Sequence, residues 1–520
     1  MFHLNSKTFR AFGAVVALAT LALPCIVVGS TISDLMAAEP SPYRVGFKTI
    51  EAYDYTRTFR ASRDYFGNPI EGETARPVQI CMWYPSEAVA DAQPLTLGEY
   101  AFPYPERQEF FNFVSRLQDR ENMRMQGMLR GLEPVLSLFS NEVEAVRGAP
   151  EVEGKFPVVI YAGDRSTGII DNSPLCEYLA SFGFVVVGLH SVGTSGLTPV
   201  MTVRDLETQA RDMEFALAEI RNLPNADMSH VAVAGRGQGA QGAVLVGMRN
   251  SSVSAVVVLG GLAGQGEGSP ALLEHPQYDA SSLWVPLLHV GARQGMCDAF
   301  RFADRVEVTH TMLTPMTQTY YGVIALLRPD ADRAQLERTT TLYEETFPSV
   351  RYFLAWKLEG DAKAEERLEE RYQGNWKMTS MSAESRPPTS DELIAIIGGQ
   401  GVKRAQEVLD KFGLPTEAAP VLDENVYNGL GYRFYQGGDA ASGVVVLKWG
   451  TIAYPQSANA WDSYAEVSLG AGDREGALKA WRRSLKLLDT DTTANRALIE
   501  VLRQSIPQRI SELEGGNQGQ

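Results

Sequence analysis

The sequence predicts a mostly parallel α/β sheet with helices on both faces, followed by an all-α tail. Three observations predict it. Short, continuously apolar segments alternate with helical ones between residues 156 and 358, as expected of strands buried on both faces and joined by crossover helices. One such strand runs into a glycine-rich turn, Gly235-Arg236-Gly237-Gln238-Gly239, that opens a small-residue helix. Near the end, Gly437-Gly438-Asp439 recurs as Ala471-Gly472-Asp473, an offset of 34 residues. That is a helical-repeat period.

Composition narrows the function classes. A length of 520 residues suggests two or three domains. Hydrophobic residues at 44% and charged ones at 21% describe a globular chain, not a disordered one. Lys plus Arg is 47 against 63 Asp plus Glu, a net charge of 47 − 63 = −16. Without a local basic patch, a body of that sign repels phosphate backbones, so no nucleic-acid partner is expected. Six histidines and four cysteines leave little material for a zinc cluster or a disulfide framework, and neither a metal site nor a cofactor is expected.

Taken in order, the chain first presents an address. Lys7 and Arg10 precede an uncharged apolar run, Ala11 to Gly29, in the layout of an export signal. Residues 1–38 are therefore assigned to a signal peptide or membrane anchor, and the protein to the periplasm or the outside. Pro24 breaks the apolar stretch and favours cleavage, but a retained anchor stays open as the one membrane contact. Pro24 before Cys25 also speaks against lipid attachment. Cys81, Cys176 and Cys297 then remain, which permits at most one disulfide.

The body is assigned to residues 43–375. Val45 to Ala52 and Pro77 to Tyr84 read as antiparallel strands around a Gly67-Asn68-Pro69 turn. Glu106 to Phe139 reads as a helix packed on the body, with Met123, Met125 and Met128 as gap-fillers. Phe156 to Tyr161, Phe184 to Leu189, Val231 to Ala234, Ala255 to Leu259 and Val285 to Val290 read as buried strands. Between them, Leu206, Ala210, Met213, Leu217 and Ile220 keep the rhythm of one helix face, closed by Pro224. Tyr343 to Leu358 reads as the last covering helix. A polar, proline-containing stretch makes 376–390 a linker, and 391–520 an all-helical domain. Its 34-residue period resembles tetratricopeptide repeats, with units from Leu430 to Pro455 and from Tyr464 to Leu488 and a closing helix, Ala494 to Leu513. Two units fall below the usual three, so the array is expected to dock on its neighbour or borrow the preceding helix.

Chemistry in a parallel sheet gathers at the carboxyl ends of the strands. Strand, glycine, any residue, nucleophile, any residue, glycine, helix is the nucleophile elbow, and the turn at Gly235 to Gly239 resembles that of the α/β-hydrolases. The turn carries no Lys-Ser or Lys-Thr, so it is not a phosphate-binding loop. Arg76-Pro77 leading into Trp83-Tyr84-Pro85, and Leu175 to Val187, are similar to the platelet-activating-factor acetylhydrolase and dienelactone hydrolase branch. The resemblance spans roughly Val45 to Leu358. It implies a serine nucleophile, a histidine, an orienting acid and backbone oxyanion donors.

The central residue departs from that pattern. Where a serine is implied stands Gly237, which has no atom to attack a carbonyl. Gly193-Thr194-Ser195-Gly196 is followed by Leu197-Thr198-Pro199, not by a helix, and offers no second elbow. The acid positions that the resemblance implies hold Gly260 and Gln294, with Asp298 a displaced candidate. The histidine is implied at His310, and the oxyanion donors at Gln238 and at Gly163-Asp164. A triad without nucleophile and acid leaves on the order of 10³ to 10⁴ over water, too little for an efficient esterase. The expectation is a pseudo-hydrolase that binds a small apolar or ester-like ligand through its body and a protein partner through its repeats. The alternative is an ester or lipid hydrolase with a non-standard nucleophile, such as Cys297 or a water activated by His310.

Overall fold

A computed structural model describes residues 40–59 and 74–515, apart from interruptions at 104, 106, 108–109, 166, 191, 195–196, 198, 200–201, 262–270, 329, 373, 385–386 and 493–495. The segment expected to be an export signal or anchor, the expected Gly67-Asn68-Pro69 turn and Ser195-Gly196 lie outside the described residues. Among the described ones, ten strands form one sheet: β1 Arg44–Phe59, β2 Thr74–Ser86, β3 Val146–Arg147, β4 Phe156–Ala162, β5 Val185–Leu189, β6 Ala226–Arg236, β7 Ala255–Leu259, β8 Leu287–Gly291, β9 Arg305–His310 and β10 Trp376–Met381. Their order is β10-β9-β8-β7-β6-β4-β5-β2-β1-β3. From β5 to β9 every pairing is parallel, while β2 joins β5 antiparallel and β10 joins β9 antiparallel. This is an α/β-hydrolase-like architecture with a helical tail.

The helices of the body are α1 Leu97–Ala101, α2 Phe111–Leu129, α3 Leu132–Phe139, α4 Ser173–Ser181, α5 Val203–Ile220, α6 Gln238–Arg249, α7 Tyr320–Ile324, α8 Arg333–Glu359 and α9 Ala362–Arg371. Successive strand residues point to opposite faces, so Val158, Ile160, Val185 and Val187 pack under α5 and α6 while Val159, Val186, Val257 and Val306 pack under α4 and α8. Both faces are sealed by apolar burial, as a parallel sheet requires.

Two expectations are corrected here. The helix expected over Glu106 to Phe139 is broken into α2 and α3, because Arg130 adopts a left-handed φ of 55° and Gly131 follows it. Met125 is fully buried on this element while Met123 is 69% exposed, which makes it a packed cover. The linker expected over 376–390 begins with an edge strand instead. Trp376 and Met378 lie half-buried around the exposed Lys377, a period-two alternation that ends at the half-buried Thr379 and that the polar Thr379-Ser380 and the prolines downstream obscure.

The tail comprises α10 Ser390–Phe412, α11 Glu424–Gln436, α12 Ala440–Ala453, α13 Ala458–Gly470, α14 Arg474–Leu487 and α15 Arg496–Gly515. Its repeat is physical as well as sequential. Gly438 and Gly472 both take φ 90°, and Asp439 and Asp473 cap the next helices through Ser442 N at 3.0 Å and Gly476 N at 2.8 Å. Leu393, Ile397, Ala405 and Leu409 of α10 share a core with Tyr427, Val446 and Trp449, so the helix preceding the repeat completes it. That same helix meets the body: a Cβ on Gly399 would lie 2.5 Å from the Ser251 carbonyl oxygen, and Gln400 Nε2 donates to that oxygen at 3.4 Å. The three described cysteines are buried and free. No described helix is long and apolar enough to cross a membrane.

Candidate functional site

The elbow exists in three dimensions. β6 ends at Arg236, Gly237 takes φ 57° and ψ −122°, and α6 begins at Gln238. A Cβ on Gly239 would lie 2.0 Å from the Ala162 carbonyl oxygen, which is the close approach of helix to neighbouring strand that the flanking glycines permit.

What fills the place of the absent side chain is a carboxylate from the next strand's loop. A Cβ on Gly237 would lie 2.4 Å from both Cγ and Oδ1 of Asp164. The same Oδ1 accepts from Gln238 N at 3.0 Å and from Arg165 N at 2.8 Å. The N–H that would steady an oxyanion is thus already paired with an anion, and a substrate oxygen would have to displace it. Among the described residues no histidine hydrogen-bonds to Asp164.

Beneath this plug lies a charge network. Arg236, 7% exposed, donates to Asp171 through Nη2 at 3.1 Å and Nε at 3.3 Å, and its Nη1 lies 3.7 Å from Asp164 Oδ2. The anions beside it, Asp171 first, hold the guanidinium well above its ordinary pKa in spite of burial. Asp171 is buried outright and also accepts from Thr319 Oγ1 at 2.5 Å and Tyr161 Oη at 3.1 Å. A Cβ on Gly163 would meet Thr167 Oγ1 at 2.3 Å and Asp171 Oδ2 at 2.8 Å, so this loop residue lies directly over the network. Arg76, part of the early sequence signature, grips Asp212 of α5 at 2.7 and 2.6 Å and the carbonyls of Val192 and Gly193. It ties the loop after β5 to the carboxyl edge of the sheet.

The other sequence candidates are placed differently. Gly261, next to Gly260, runs against the elbow: a Cβ on it would lie 3.0 Å from Gly237 Cα. The space at Gly260 belongs to Gln318, whose Oε1 would lie 2.4 Å from a Cβ there and whose Nε2 donates to the Val290 carbonyl at 2.6 Å. Gln318 comes from the segment after β9, and no motif in the sequence pointed to it. Gln294 is exposed and donates to Thr379 Oγ1 of β10 at 2.8 Å. Asp298 is exposed as well. His310 is the last residue of β9, its ring 4.9 Å from that of Trp376 and its Nδ1 accepting from Met312 N at 3.2 Å. Burial lowers its pKa. Three strand spacings separate β9 from β6 in the sheet order, about 14 Å at roughly 4.8 Å each. The structure therefore brings Gly237, Gln238, Asp164, Gly163 and the Gly260 loop together and leaves His310 and Gln294 apart. Cys297 is fully buried, and burial followed by Glu307 pushes its thiol well up, which disfavours the thiolate a nucleophile needs.

A second concavity, about 380 Å³, lies at the opposite, amino edge of the sheet between body and tail. Met248, Trp284, Val285 and Leu358 line its body side, and Ile396 and Arg404 of α10 its tail side. Interdomain clefts of this size are frequent ligand sites.

Fold and elbow together define an α/β-hydrolase-like body that keeps the turn and carries glycine where the resemblance implies a serine. Among solved structures the chain is similar to a ferulic acid esterase from Streptomyces cinnamoneus at 19% identity and a TM-score of 0.45, over 67% of this chain and 99% of that one. No protein-family model and no curated protein matches the chain.

Proposed function

We propose that this protein is a pseudo-hydrolase: an exported hydrolase-like body that binds instead of cleaving, with a helical array for a protein partner. The observation that carries the reading is the Asp164 carboxylate at the elbow, which fills the site of the missing side chain and occupies the Gln238 N–H. Ancestry in the acetylhydrolase and dienelactone hydrolase branch and a tetratricopeptide identity for the tail are part of the same proposal. They rest on the sequence signatures and on the 34-residue equivalence of the helix pairs. A small apolar or ester-like ligand suits the interdomain concavity better than the plugged elbow.

One observation favours a second reading. A carboxylate is itself a nucleophile, and Asp164 stands where one is needed. Short-chain p-nitrophenyl esters test both. The purified protein is expected to give no turnover above buffer and no fluorophosphonate labelling. Turnover that disappears in Asp164→Asn would establish the carboxylate as the nucleophile and overturn the pseudo-hydrolase, as would turnover that disappears in His310→Ala.

A further inference from the structure

The composition left little room for a metal site, yet the fold assembles three donors. His289 of β8 and Glu307 of β9 are direct partners in the parallel register, with Nδ1 and Oε1 3.8 Å apart. Cys297, in the connection between these strands, comes in beside them, and the three donor atoms lie within 4.8 Å of one another. His289, Cys297 and Glu307 are 2%, 0% and 1% exposed.

Two features bear on what this cluster could hold. His289 Nδ1 is buried and has no hydrogen-bond partner. Glu307 accepts from Gly295 N at 2.7 Å and Cys297 N at 3.0 Å, which aims its oxygens at the connection between β8 and β9. Arg305, on the same face of β9, turns its Nη1 to the Asp298 carbonyl at 3.4 Å. Glu307 is met by the Gly295 and Cys297 N–H groups and by the Cys297 thiol, so it is the unpartnered imidazole nitrogen that is costly unless something satisfies it.

We propose that His289, Cys297 and Glu307 bind a zinc ion that fixes the connection between β8 and β9. Thiolate, imidazole and carboxylate form a mixed S, N, O donor set, which suits zinc and not the oxygen-seeking calcium or magnesium. Zinc bonds of about 2.0–2.3 Å place tetrahedral N and O ligands roughly 3.4 Å apart and N or O and S ligands roughly 3.6 Å apart, so the 3.8 Å His289–Glu307 pair must close by about 0.4 Å and Cys297 by up to about 1 Å. Binding releases the Cys297 thiol proton to solvent. A dication, a thiolate and a carboxylate then sum to zero charge, the arrangement a dry interior tolerates best. Three protein ligands leave the fourth position to a water. The exposed run from Ala292 to Gly295 is the way in.

The test uses the full chain, stripped with dipicolinate, then reloaded with zinc alone or with cobalt(II) alone. The wild type is expected to take up one zinc by elemental analysis, melt at a higher temperature when loaded, and show a thiolate-to-cobalt charge-transfer band. Cys297→Ser should lose the band and bind zinc at least about tenfold more weakly, whereas Cys81→Ala and Cys176→Ala should keep both. His289→Gln provides a second ligand variant if Cys297→Ser does not fold. A folded wild type that takes up no zinc overturns the proposal, and so does a charge-transfer band that survives loss of the Cys297 thiol.

Discussion

The elbow at β6 and the cluster at β8–β9 are both buried constellations on one sheet, and they handle charge in opposite ways. At the elbow every ion has its counterpart: Asp171 and Asp164 flank Arg236, and hydroxyls and N–H groups take up what remains. At β8–β9 a carboxylate, a thiol and an imidazole meet, and the imidazole Nδ1 has no partner. A closed network holds a shape, while an open one asks for a ligand. By this criterion the elbow is closed in charge but not in every polar atom, since both amide atoms of Gln238 and Oδ1 of Asn172 are buried there without a partner, whereas at β8–β9 it is an ionisable donor that stands open.

The sharpest way to break this comparison is to remove one anion from each place. Asp171→Ala leaves Arg236 buried beside the partly exposed Asp164 alone, and an orphaned buried ion of this kind costs about 3–5 kcal/mol. Glu307→Gln in zinc-stripped protein breaks no ion pair to an arginine or lysine among the described residues, and the loss is one N–H acceptor, about 1–2 kcal/mol. Urea unfolding of both variants measures the difference. If Glu307→Gln costs as much as Asp171→Ala, the cluster is already charge-balanced and the contrast fails.

His190 extends the comparison to pH. It follows Leu189, which pairs with Ala162, which pairs with Gly235, so it lies at the carboxyl edge two strands from the elbow. Its ring nitrogens are both buried without a partner, and burial, with Arg120 nearby, lowers its pKa to about 3. The unfolded chain takes up this proton near the ordinary value of 6.5, the folded one not until about 3. The stabilisation is therefore complete above pH 6.5 and is lost as the pH falls towards 3, on the order of a few kcal/mol. His190→Gln removes this dependence, so its stability deficit relative to wild type should shrink steadily over that window. A constant deficit in chemical denaturation at stepped pH would show that His190 does not titrate this way.

The sheet was legible in the sequence because continuous apolar runs such as Phe156 to Tyr161 have one use in a chain of alternating helices. The elbow was legible because glycines at 235 and 239 are demanded by backbone contact and leave a local signature. The helical period was legible because identical turns recur at a fixed distance. What escaped had no local pattern. β10 pairs with a strand about seventy residues earlier, and its half-polar edge sequence looks like a linker. Asp164 fills the elbow from 73 positions away, and Gln318 covers Gly260 from the far side of two strands. His289, Cys297 and Glu307 share no spacing that a motif would record, because register across β8 and β9, not sequence, sets them side by side. The strand leading to His310 was legible from Val306 to Thr309, and what escaped was Trp376 of β10 against its ring.

The smallest expected effect bears most directly on how the elbow came to be closed. Gly237→Ser places a side chain at φ 57°, ψ −122° and 2.4 Å from Asp164, so strain and collision act together. A non-glycine residue in such a region costs about 1–3 kcal/mol, and the collision adds to it unless Asp164 swings out, which its partly exposed side chain allows. Asp164→Ala removes the collision and frees the Gln238 N–H. The double variant should therefore be more stable than Gly237→Ser alone, with a favourable coupling of about 1 kcal/mol in a double-mutant cycle. It should remain silent towards fluorophosphonates, because no described histidine reaches the elbow to take the serine proton. Additive effects would mean that Asp164 does not hold the space of the missing nucleophile. Labelling of the double variant would mean that a histidine reaches the site after all, and that a single glycine silences an otherwise complete enzyme.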